Sequence, residues 1–176
     1  DVVGVRLLAE SLPELIVVSS CSKNFGLYRE RTGAISLICQ NEVAASSAST
    51  LLAAAARANY SMPPDHGAAI VQLIYEDSSL YSMWQEELKE VRDRINSLRV
   101  TFSESLKQSG ADNDFGFIQN EKGMFSFLGV TQSQIQELIN KYAIYLVDSS
   151  RINVASINKG NIDYVTESIV NVIKIT

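Results

Sequence analysis

Histidine is almost missing from this sequence: His66 is the single one among 176 residues. A hydrolytic triad with a histidine base would have only His66 to use. That residue stands in Pro63-Pro64-Asp65-His66-Gly67 with no nucleophile motif beside it, so it reads as a polar residue at a helix start. Cysteine is nearly as scarce. Cys21 and Cys39 are not spaced as zinc ligands, and two cysteines make no disulfide framework, so both read as reduced and half-buried. No His/Cys/carboxylate cluster suggests a metal site, and neither a GxxxxGK[ST] phosphate loop nor GxGxxG is present. No apolar run is long enough to span a bilayer, and the first residues lack the charged start and continuous apolar stretch of a signal peptide. The net charge is -5 and the basic residues form no stripe, which argues against nucleic acid or an anionic membrane as partner. These absences point to a cytoplasmic protein. An initiator methionine is also lacking: a helix-like stretch follows Asp1 at once, as in a piece of a longer chain.

What is present is a chain 46% hydrophobic and 20% charged, enough for one or two compact units with a real core. Residues 1–11 read as the end of a helix that Pro13 breaks. Leu15 to Val18 reads as a short buried strand, and Ala34 to Cys39 as a second apolar strand. Asn41 to Asn59 is an Ala/Ser-rich helix, with Leu51, Leu52 and Ala55 on one side for close packing. Pro63-Pro64 stops it, and Asp65 is expected to cap a helix over His66 to Tyr75. From Ser78 to Gln108, Leu80, Trp84, Leu88, Val91, Ile95, Leu98, Phe102 and Leu106 recur every three or four residues. That stripe predicts one long helix joining two bodies, ended by Gly110. Beyond it, Phe115 to Gln119, Met124 to Leu128, Ile144 to Val147 and Ile152 to Ala155 read as short strands. Gln132 to Tyr142, capped by Thr131, and Asn161 to Ile173 read as helices. The expected division is a first unit over residues 1–90 and a small α+β unit over 91–176.

One segment has the makings of chemistry. It is Ser20-Cys21-Ser22-Lys23-Asn24-Phe25-Gly26-Leu27-Tyr28-Arg29-Glu30-Arg31-Thr32-Gly33. A strand delivers a lysine at its end, where α/β proteins place their sites. Hydroxyls flank that lysine and a glycine follows. A lysine amine is a nucleophile only when deprotonated. Arg31 supplies a planar fork suited to a phosphate.

This segment closely resembles the signature around the cofactor lysine of the class I aspartate and aromatic amino acid aminotransferases, which bind pyridoxal phosphate (PLP) on fold type I. Arg57-Ala58-Asn59-Tyr60-Ser61-Met62-Pro63-Pro64-Asp65-His66-Gly67 resembles a second segment of that family. Gly123-Met124-Phe125-Ser126-Phe127 and Ser150-Arg151-Ile152-Asn153-Val154-Ala155 resemble two motifs of its small domain. The resemblance implies an α/β protein: the C-terminal part of fold type I, comprising the end of the large-domain sheet, a long linking helix and a small α+β domain. It implies that Lys23 forms a Schiff base with pyridoxal phosphate and moves protons as general base and acid. It further implies that Ser20, Ser22 and Arg31 hold the phosphate and that Arg151 clamps the substrate α-carboxylate. Arg57 would bind the side-chain carboxylate of a dicarboxylic substrate from the neighbouring subunit of a homodimer, and Phe125 would line the site. The implied reaction is transamination between aspartate or aromatic amino acids and 2-oxoglutarate.

The same resemblance exposes a deficit. The partners of the cofactor ring and of its phosphate loop belong to upstream sequence not found in residues 1–22, so this chain alone is expected to be inactive. Its uncovered strand edges and core faces are expected to drive association. Two other readings stand beside the transaminase: a non-catalytic folding domain in which Lys23 is a remnant, and another Schiff-base enzyme of the same fold. Arg57 together with Arg151 favours transamination over the latter.

Overall fold

The structure is a computed structural model that describes residues 2–111 and 114–174. The chain divides into two compact units, Asp1–Glu86 and Glu87–Thr176.

The first unit begins with α1 (Val2–Ser11), none of whose residues is buried. Pro13 follows, and β1 (Leu15–Ser20) pairs antiparallel with β2 (Gly33–Ile38), in register from Leu15 opposite Ile38 to Ser20 opposite Gly33. The expectation that the first strand is buried is corrected here. Val18 is 75% exposed and its cross-strand neighbour Ile35 48%. β-Branched composition reports fitness for a pleated surface, and burial needs a second layer that these residues do not supply.

α2 (Glu42–Tyr60) starts at Asn41, whose side chain accepts a bond from the Ala44 N–H at 2.9 Å. The close packing expected of its small residues is not found: no α2 residue is buried and Leu51 is exposed. α3 (His66–Glu76) follows the prolines. Asp65 does not cap it as expected, because its backbone is already helical and its side chain makes no cap bond. A residue caps only when its own φ/ψ is non-helical and its side chain can turn back onto the first turn.

α4 (Ser78–Gln108) spans the expected segment, and the division between units falls within it. Asp77 starts it, accepting bonds from the Ser79 N–H at 2.8 Å, the Ser79 hydroxyl at 2.5 Å and the Leu80 N–H at 3.1 Å. The Ser79 hydroxyl first, then the backbone N–H of Leu80 and of Ser79, hold the Asp77 carboxyl below the usual carboxylate range.

The second unit carries the core. Its elements after α4 are α5 (Phe117–Asn120), β3 (Phe125–Phe127), α6 (Gln132–Tyr142), β4 (Arg151–Asn153), a 3-10 turn (Val154–Ser156) and α7 (Ile162–Lys174). Phe102 and Leu106 of α4, Ile118 of α5, Ile135 and Leu138 of α6, and Val172 of α7 are wholly buried together. Thr131 caps α6 through a reciprocal box with Gln134.

Two expected strands are absent among the described residues. Phe115 to Gln119 turns as a helix, because Phe115 and Ile118, three apart, both face the core. Ile144 to Val147 keeps a period of two, with Ile144 and Leu146 on the core and Tyr145 and Val147 outside, but it has no ladder partner. The last expected strand is shorter than Ile152 to Ala155: β4 gives way to the 3-10 turn at Val154.

Candidate functional site

β1 and β2 are joined by the lysine-bearing loop, and the ladder closes its neck. Ser20 lies opposite Gly33, and the Cys21 N–H donates to the Thr32 carbonyl at 2.9 Å. Gly33 has no room for a side chain, since a Cβ there would run into the backbone of Ser19. Ser20 and Arg31 therefore stand on the two flanks of one neck. The Ser20 hydroxyl donates to the Ser22 hydroxyl at 2.9 Å and accepts from the Ser22 N–H at 3.2 Å.

Tyr28 links two cations of the loop, Lys23 and Arg31. Its ring receives the Lys23 ammonium at 4.1 Å from the centroid, and its carbonyl accepts a bond from Arg31 Nη1 at 3.2 Å. Arg31 itself has a left-handed backbone, φ 54. A bulky residue in that region is strained, and such strain gathers at functional sites. The start of α3 backs onto the same flank: a Cβ at Gly67 would collide with the Thr32 side chain and Glu30, and His66 Nδ1 lies 2.9 Å from Glu30.

In the second unit, Phe125 opens β3 and Arg151 opens β4. Phe125 pairs with Asn153 and Phe127 with Arg151, so the Phe125 ring and the Arg151 guanidinium meet diagonally, 4.6 Å from Cζ to centroid. Ser150, with φ 64, aims the arginine. It is held there because its hydroxyl accepts from the Val130 N–H at 3.0 Å and its carbonyl from the Leu128 N–H at 3.0 Å. A cavity of about 450 Å³ borders Phe125, Tyr145, Arg151 and Asn153.

The residues singled out in the sequence thus fall into separate groups. Ser20, Ser22, Lys23 and Arg31 share one loop. Phe125 and Arg151 share one ladder of the other unit. Arg57 lies exposed in the last turn of α2, outside the hydrogen-bonded loop.

Two supporting residues escaped the sequence reading. Arg99 of α4 is fully buried. Its Nη1 donates to the Ile118 carbonyl at 3.1 Å, the Ser126 hydroxyl at 2.5 Å and Glu121 at 3.2 Å, and its Nη2 to the Gly123 and Phe125 carbonyls at 2.7 Å each. It fastens β3 from behind. The available signal was a cation four residues after Ile95 and three before Phe102, inside the apolar stripe. Tyr28 was visible only as a motif letter, because a ring and a carbonyl serving two different cations leave no spacing pattern. Among the described residues, no three His, Cys, Asp or Glu gather as a metal would require.

The model of the family described as "Aminotransferase class I and II" matches residues 1–169. The chain is 47% identical over 173 residues to the aspartate aminotransferase of Haemophilus influenzae, covering 98% of this chain and 44% of that protein. It is 42% identical over 172 residues to the aromatic-amino-acid aminotransferase of Pseudomonas aeruginosa, covering 98% of this chain and 43% of that one. Among solved structures, it superposes with a TM-score of 0.86 and 42% identity on the aromatic-amino-acid aminotransferase of Burkholderia pseudomallei covalently bound to pyridoxal phosphate, over 96% of this chain and 42% of that one. The chain spans less than half the length of these relatives. With motifs, fold and relatives in agreement, the chain belongs to the class I and II aminotransferases.

Proposed function

We propose that the protein carrying this chain is a pyridoxal-phosphate-dependent transaminase that moves an amino group between aspartate or aromatic amino acids and 2-oxoglutarate. The observation that carries the reading is the closed loop, which gathers an amine, paired hydroxyls and a guanidinium. That donor set fits the cofactor: an amine suits its carbonyl, and hydroxyls with a guanidinium suit its phosphate. The Burkholderia pseudomallei relative, covalently bound to pyridoxal phosphate, supports the same assignment. When bound, the cofactor supplies an electrophilic carbonyl and an electron sink.

Lys23 would hold the cofactor by its amine and, once displaced by the substrate amine, would carry the proton from the substrate Cα to the cofactor's former carbonyl carbon. Ser20, Ser22 and Arg31 hold the phosphate. Arg151 binds the α-carboxylate through its fork, and the Phe125 ring against it keeps that fork turned. Arg57, solvent-facing here, reaches the side-chain carboxylate of a dicarboxylic substrate across a homodimer interface. Residues 1–90 then belong to the large cofactor-binding domain and 91–176 to the small domain. No helix among the described residues is long and apolar enough to cross a membrane, and the cysteines Cys21 and Cys39 are not disulfide-bonded; the cytoplasm is the location this reading assigns.

A narrower reading holds for the chain by itself. The exposed hairpin surface favours a folding unit that does not transaminate alone. The test is to mix the protein with pyridoxal phosphate, reduce with borohydride and map the adduct by mass spectrometry. Pyridoxyl on Lys23 is expected for the full-length protein; labelling scattered over surface lysines would overturn the assignment.

A further inference from the structure

Just beyond Lys23 two backbone bonds within the loop are long. The Gly26 N–H reaches the Lys23 carbonyl at 3.4 Å and the Leu27 N–H reaches the Cys21 carbonyl at 3.3 Å, both long for hydrogen bonds. Gly26, at φ 68, adds a residue of wide backbone freedom.

The firm contacts come from α4. Trp84 donates its indole N–H to the Asn24 carbonyl at 2.8 Å, a bond between residues 60 apart in sequence. Its ring also stacks on Phe25, with centroids 4.5 Å apart and planes inclined by 7°. These contacts fall on the two residues directly after Lys23. One fixes the Asn24–Phe25 peptide plane, one residue beyond the lysine, and the other fixes the Phe25 side chain. Trp84 is itself boxed in, with Tyr75 edge-on at 5.9 Å and Tyr81 at 5.6 Å. Asp77 pins the first turn of the same helix.

We propose that Trp84 is a positioning residue for Lys23. Its indole sets where the lysine's Cα stands and hence where the amine meets the carbonyl it bonds. The proposal rests on the reading of Lys23 as the cofactor lysine, and it adds a residue from another element outside the lysine motif. Its physical basis is that bond formation tolerates little misplacement, and the turn after the lysine, whose own backbone bonds are long, is held by the indole's short bond and stack.

The test uses the full-length protein loaded with pyridoxal phosphate. Trp84→Phe keeps a ring on Phe25 and removes the N–H; Phe25→Leu keeps the N–H and removes the stack. Met83→Ala, at an exposed neighbouring position, serves as control. Circular dichroism establishes folding. The readouts are the rate at which Lys23 is trapped by borohydride and the pH midpoint of the lysine–cofactor absorbance band.

Trp84→Phe is expected to slow trapping by about three- to tenfold, the scale of one neutral hydrogen bond, and to move the pH midpoint. Phe25→Leu should change both readouts in the same direction, and the control should change neither. Should Trp84→Phe fail to fold, Phe25→Leu decides alone. Wild-type rate and midpoint in the folded variants, with Lys23 trapped in the parent, would overturn the role of Trp84 while leaving the cofactor lysine standing. A parent protein trapped elsewhere than Lys23 would overturn the cofactor reading, and this proposal with it.

Discussion

At the scale of single residues, the arginines separate by environment. Arg151 is an exposed fork set against one ring, so its replacement tests binding more than folding. In the full-length protein, Arg151→Lys is expected to lower kcat/KM roughly 10- to 100-fold, the loss of a charged hydrogen-bond pair that a point charge cannot reproduce. Steady-state kinetics with aspartate and with an aromatic substrate check it, and a change under twofold in both would remove Arg151 from the site. Arg99 is the opposite case. Its buried guanidinium bonds the carbonyls of Ile118, Gly123 and Phe125 together with the Ser126 hydroxyl and Glu121. Arg99→Ala is expected to cost about 3–5 kcal/mol, as when one partner of a buried charged network is removed. Urea unfolding measures this. Arg99 could not be read as buried from composition, because a lone arginine on a helix is usually a solvated residue.

At the scale of elements, periodicity carried α4, α6 and α7, where long stripes leave little choice of period. It failed for Phe115 to Gln119, where five residues fit either period and the contacts of Phe115 and Ile118 decided for a turn of helix. The capping box at Thr131 was legible as a hydroxyl three residues before Gln134. Thr131→Ala should destabilise the second unit by about 1 kcal/mol, read from the shift in its urea midpoint. The junction of α3 and α4 gives a pH prediction. The Asp77 carboxyl is held below 3.8, mainly by the Ser79 hydroxyl and then by the Leu80 and Ser79 N–H groups. A depressed folded-state value means that the stabilising contribution is present above 3.8 and is lost as pH falls through the lower folded value. Asp77→Asn should therefore flatten the acid limb of the α4 melting curve, seen by circular dichroism between the two values; an unchanged limb would show that the cap bonds are not formed in solution. Lys141 runs the other way: Glu137 raises it, so its contribution is present below 10.5 and fades only as pH rises beyond its folded value.

For the whole molecule, the two units differ in how far they are self-sufficient. The second buries a continuous core, whereas the hairpin of the first leaves Ile16, Val18 and Ile35 open to solvent. Large exposed apolar surfaces drive association. The chain alone is expected to self-associate in sedimentation velocity, and Val18→Lys with Ile35→Glu, a cross-strand pair, should shift it toward monomer. Equal association before and after the change would place the sticky surface elsewhere.

By itself the sequence determined the family, the loop with Lys23 and Arg31, the long helix and the amphipathic elements of the second unit, because motifs and helical periods are local properties. The tertiary structure decided what depends on residues far apart. It opened the first strand, expected to be buried, turned two expected strands into other backbone, and drew Arg99 into the core. It also put Trp84 against the Asn24 carbonyl beside Lys23, a contact that no spacing encodes because it joins a loop to a helix 60 residues away.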